Sequence, residues 1–175
     1  MYRVTMKQRR FLLFLHLFFS SIMLGGAVLF VVMSIRAAVT DDEQVLKACY
    51  TVMHILATTS VRASTIGATV TGILLSVLTH WGLFRFYWII AKEVLTLVTI
   101  GIGIVGMYFW TLGAFSVTAA EGMAALHSPV FIANIQQLYA GIALQVASLV
   151  AIFLLSVFKP WGQRKQKIVH NTYMT

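Results

Sequence analysis

Apolar residues in this chain gather into four long runs separated by short polar breaks. Each run exceeds the roughly 20 residues a helix needs to cross a hydrocarbon core. They predict membrane-spanning helices over 11–36, 45–80, 87–115 and 133–158. Runs of this length exclude a barrel, whose strands would alternate over about ten residues. The second run is the least uniform. It holds Lys47, His54 and Arg62, and only 66–79 is purely apolar. If that helix ends near His80, Arg62 falls near the opposite interface, where its guanidinium can snorkel to water. Residues 45–60 are then a helical extension, or the whole helix is long and tilted. The first run is too long for a signal peptide, and three more follow Arg9-Arg10, which argues against a twin-arginine export signal.

The connections are short, so sequential helices should be antiparallel neighbours. Only 116–132, which contains Pro129, has room for a small extra element. The expected fold is therefore all-α: a polytopic membrane protein, one domain over 1–175, built as an up-down four-helix bundle with a basic tail over 159–175. Lipid supplies no hydrophobic drive between helices, so small residues should mark the packing faces. Ser60, Ser64, Ala68, Gly72 and Ser76 form such a stripe in the second run, and Ala143, Ala147 and Ala151 another in the fourth. Gly25-Gly26 serves the first. A leftover stripe could join two copies as a homodimer.

Composition sharpens this. Of 175 residues 59% are hydrophobic and only 10% charged, too few polar side chains to cover a water-soluble globule. The net charge of +8 would suggest nucleic acid in a soluble protein. Here it orients the chain instead. Arg3, Lys7, Arg9, Arg10, Arg85, Lys92, Lys159, Arg164, Lys165 and Lys167 fall on one side, against Arg36, Lys47 and Arg62 on the other. The positive-inside rule puts the first group, and so both termini, in the cytoplasm. Asp41, Asp42, Glu43 and Glu121 then lie at the outer side. Trp81, Trp88 and Trp161 fall at the inner interface and Trp110 near the outer one, as an aromatic belt.

Candidate chemistry is sparse. The single cysteine, Cys49, rules out an internal disulfide and any thiolate cage. Gly101-Ile-Gly103-Ile-Val-Gly106 fits G-x-G-x-x-G but sits inside a membrane helix, so helix packing accounts for it better than a dinucleotide. Paired imidazoles could hold a b-type haem, and His16, His54, His80 and His127 are the candidates, with His16 and His80 toward one side and His54 and His127 toward the other. Each also has a plainer role as an interfacial or interhelical polar group. Lys92 is close enough to the inner surface to snorkel. Glu93 has a shorter side chain and calls for an ion pair with Arg85, Lys159 or Arg10, or else for a proton or ion role. Gln145 is expected as interhelical glue, or as part of a polar cavity with Gln136, Gln137 and Tyr139. No catalytic constellation can be assembled.

The stretch from Thr71-Gly72 to Trp81-Gly82-Leu83, Arg85, Trp88 and Lys92 fits W-G-L-x-R-x-x-W-x-x-x-K. It resembles the inner-loop signature of a group of small bacterial four-helix integral membrane proteins. Leu15-His16, Leu24-Gly25-Gly26 and 156–162 look similar to flanking pieces of that group. The resemblance implies a bacterial cytoplasmic membrane and four helices, but no activity. Some members carry a histidine late in the third helix and another early in the fourth; here those regions read Gly106-Met107 and Leu138-Tyr139, so no haem ligand carries over. The expected function is a non-enzymatic binding or accessory protein. It would present Arg85, Lys92, Glu93 and the basic tail to a membrane-protein partner or anionic lipid. The alternatives are a haem-binding electron-transfer protein and a small ion or solute carrier.

Overall fold

In the computed structural model, which describes residues 5–79 and 82–161, the elements follow the apolar runs but begin and end at identifiable caps. Helix α1 spans Met6–Ala38. Its start lies ahead of the apolar run because Thr5 and Gln8 form a reciprocal capping box. The Gln8 N–H donates to Thr5 Oγ1 at 3.3 Å, and the Thr5 N–H donates to Gln8 Oε1 at 3.0 Å. Two first-turn donors are thereby satisfied before the lipid-facing part begins. Asp42 caps α2 (Glu43–Thr58), its Oδ1 accepting from Gln44 N–H at 2.8 Å. The acidic run is thus partly a helix start.

The second run is not one continuous helix. It breaks at Thr59, and α3 covers Ser60–Leu78. The cause is local. Thr58 and Thr59 both turn their hydroxyls back onto the Ile55 carbonyl, at 3.0 and 2.6 Å. Such back-bonding competes with the helix ladder and bends it.

The third run comprises α4 (Tyr87–Ile100), a π-helical turn over Gly101–Gly106, α5 (Met107–Glu121) and a 3-10 turn over Gly122–His127. This carries it well past residue 115, and the 3-10 turn is the small element that the long connection had room for. Gly122 ends α5 with φ of 57°, a conformation glycine adopts without a Cβ penalty. The Glu43 carboxylate rests against it and also holds Lys47 at 2.6 Å. Finally α6 spans Pro129–Phe158, with Pro129 in the first turn and a left-handed Lys159 ahead of Pro160 at its end.

Four stretches are long and apolar enough to cross a membrane: Met6–Ala38, Glu43–Leu78, Tyr87–His127 and Pro129–Phe158. Among the described residues these stretches are helical apart from the break at Thr59, and no strand forms. In their most apolar windows only 17–28% of residues are buried. Phe11, Phe14, Phe18, Leu97, Phe109 and Leu154 are among the large apolar side chains that face outward. Water would penalise that surface heavily, and lipid does not.

Contacts between the first two spans run in reverse order. His16 meets Ala68 and Thr71, Met23 meets Thr65, Gly26 faces Val61, and Ser34 meets Met53. The serine-glycine stripe lies in this seam, with Ser64 and Ala68 buried. The alanine stripe of α6 does not. Ala143 and Ala147 are exposed, and the buried face is Leu138, Gly141, Ile142, Gln145, Ser148 and Leu149. Size alone misled there, because larger residues one step around the helix fit the neighbours better.

The main core sits toward the Thr40–Asp42 end. Leu46, Tyr50, Met53, Ala114, Phe131 and Leu138 are nearly inaccessible there. Trp110 belongs to this packing rather than to an interfacial belt. Its indole lies in a slot between Gly106 and Gly141, in contact with both. Asn134 fastens the same helices by donating to the Trp110 carbonyl at 2.6 Å. Toward the other end the packing thins, and α4 buries only Trp88, Ile89 and Thr99.

Candidate functional site

The thinly packed end holds Arg85, Lys92 and Glu93. Lys92 projects from the second turn of α4, with its ammonium 5.8 Å from the Trp88 ring centroid. Trp88 is buried, at 7% exposure. It therefore acts as a platform inside the bundle, not as a lipid-facing anchor. Lys92 is also within Coulombic reach of the His16 ring and of Lys159, which closes α6. Arg85 stands in the α3–α4 connection with its guanidinium over Phe86 at 5.8 Å. Between α4 and α6 lies an open groove of about 580 Å³. Ala91, Val94, Leu95, Ala151, Leu154, Leu155 and Trp161 line it. Small residues at 91 and 151 keep the helices from filling it. The basic residues and the apolar groove both belong to this end of α4 and α6.

Glu93 has one carboxylate oxygen, Oε1, buried without a hydrogen-bond partner. Being next to Lys92 in sequence turns it about 100° away around the helix. Gln145 is likewise unpartnered at Oε1, at 4% exposure in the middle of α6. Gln136 and Gln137 are exposed and Tyr139 half-buried, so they do not build a cavity with it.

The histidines stand apart. His16 Nδ1 lies 3.1 Å from both the Ala68 carbonyl and Thr71 Oγ1. The carbonyl only accepts, and the Thr71 hydroxyl already donates to Gly67 at 2.6 Å. Nδ1 therefore carries the proton. The ring fits because Gly72 has no side chain: a Cβ there would sit 3.1 Å from His16 Cε1. His54 Nδ1 lies 3.1 Å from Thr111 Oγ1, and its ring stacks on Phe115 at 5.8 Å. At 1.5 Å rise per residue, the levels of His16 and His54 differ by on the order of 20 Å. His127 is exposed at the end of the 3-10 turn. His16 and His54 are therefore too far apart to share one iron. His80, Trp81 and the tail beyond Trp161, with Arg164, Lys165 and Lys167, lie outside the described residues, as does Arg3.

Two features escaped the sequence reading. Arg62 is only half-buried. Its Nε is buried without a hydrogen-bond partner, and its guanidinium sits 5.3 Å over the Tyr108 ring. Tyr108 also leans on His54 at 5.7 Å. Arg62 and His54 thus grip one aromatic residue of α5 from both sides of the Thr59 break. The other feature is the α4–α6 groove. Ala91 and Ala151 were a possible signal for it, but they lie on separate helices and register only once those helices are side by side.

No protein-family model, curated protein or solved structure matches the chain. The assignment therefore rests on the geometry.

Proposed function

We propose that this is a non-enzymatic accessory protein of the bacterial cytoplasmic membrane which binds anionic phospholipid at its basic end. The observation that carries this reading is the apolar α4–α6 groove, lined by Ala91 and Trp161, with Lys92 next to the first in sequence and Lys159 two residues from the second. Positive charge near an apolar groove favours an anion with an apolar tail. A headgroup phosphate beside an acyl-chain groove meets both requirements, and Arg85 adds positive charge in the α3–α4 connection. The reversed contact order of α1 against α2 and α3 supports an antiparallel bundle. The Lys/Arg bias supports both ends on the cytoplasmic side, and the W-G-L-x-R signature supports a bacterial membrane.

Purified protein in nanodiscs tests this. It should retain phosphatidylglycerol over phosphatidylcholine in native mass spectrometry. Lys92→Gln should lower that preference about fivefold, following from about 1 kcal/mol per basic residue near an anionic surface. Equal retention of both lipids by the unaltered protein would refute the reading, and retention of a co-purifying membrane protein instead would favour the partner alternative. The buried Glu93 Oε1, which has no hydrogen-bond partner, favours a second reading, a small-cation or proton carrier. Flux in liposomes that Glu93→Gln abolishes would establish that role.

A further inference from the structure

At the centre of the bundle all four spans meet around a small void. Met23 and Ala27 line it from α1, Val61 from α3, Met107 from α5, and Ile142 and Gln145 from α6. Its volume is about 10 Å³, close to one water-sized probe sphere. One wall is polar. Gln145 is 4% exposed, lines the void, and has no partner for Oε1. A buried amide oxygen left in this state costs about 1–3 kcal/mol.

The neighbouring backbone is unusual at the same level. The π-helical turn over Gly101–Gly106 places buried Gly103 beside this amide. A Cβ at Gly103 would lie 3.5 Å from both Gln145 Nε2 and Thr65 Oγ1. The wide turn and the missing side chain together leave room for two polar side chains from other helices. Thr65 donates to the Val61 carbonyl at 2.7 Å and lies 3.3 Å from Met23 Sδ, so its hydroxyl proton is already committed. π-turns inside α-helices are frequent at functional sites. The G-x-G-x-x-G pattern finds its physical role here.

We propose that this void is an internal hydration site, holding one water that hydrogen-bonds Gln145 at the middle of the membrane span. The inference does not depend on the lipid reading. Nor does it depend on which way the Gln145 amide is turned, because water both donates and accepts. The methionine sulfurs at positions 23 and 107 offer weak acceptors for its second hydrogen.

The test is water-selective NMR on isotope-labelled protein in nanodiscs. The side-chain amide of Gln145 and the methyl groups of Met23 and Met107 should show cross-peaks to a slowly exchanging water. Gln145→Leu should abolish the methyl cross-peaks. Ala27→Val, which fills the void from the facing wall and leaves Gln145 in place, should abolish all of them. Absence of any such cross-peak in the folded unaltered protein would overturn the proposal, as would their persistence in folded Ala27→Val.

Discussion

Gly141 shows how much one missing side chain can decide. A Cβ there would overlap the Trp110 ring, whose same edge also lies against Gly106. Gly141→Ala should therefore destabilise the protein by about 1–3 kcal/mol through overpacking, read as an earlier transition when the protein is unfolded by SDS from mild detergent. Gly25 is the contrast, since nothing lies within 4 Å of its added Cβ, and Gly25→Ala should be neutral in the same assay. His16 makes a chemical prediction. Its ¹⁵N spectrum should show the proton on Nδ1, the tautomer its acceptors demand, and an Nε2–H signal alone would contradict the geometry. His16→Ala should cost about 1 kcal/mol, in the range of interhelical hydrogen bonds within membranes.

At the scale of elements, the four apolar runs were legible in the sequence because bilayer thickness dictates their length. Their interruptions were harder to see. Thr58-Thr59 carries no glycine or proline, and its break arises from hydroxyls competing for one carbonyl. Thr58→Ala with Thr59→Ala removes that competition, so Cα chemical shifts at 58–60 should move to continuous-helix values. Unchanged shifts would place the cause in the Arg62–Tyr108–His54 contacts. The π-turn was equally hidden. Its three glycines looked like packing residues, and only the polar side chains arriving from two other helices explain why the helix widens there.

For the whole molecule, composition and charge bias outline the architecture but not the site. The basic residues could be counted from the sequence. The groove that Ala91 and Ala151 help to line depends on how α4 lies against α6. The histidines illustrate the same limit. They fall at suggestive positions along the chain, yet His16 and His54 bond to different helices at different depths. Orientation gives the prediction proper to this scale. A reporter fused after Thr175 should be active only in its cytoplasmic form, and one placed at Asp41 only in its external form. The reverse pattern would move the basic end to the opposite face and remove the basis for an anionic-lipid site in the inner leaflet.

The Trp110 slot also limits how this chain can drift. Residues 106, 110 and 141 share one volume, so none can enlarge by itself. A lineage that gains a side chain at 106 or 141 must shrink the aromatic residue at 110 in the same step or pass through a weakened ancestor. These three positions, 35 residues apart at their extremes, should therefore covary as a unit. A smaller residue at 110 would release both glycines from their constraint.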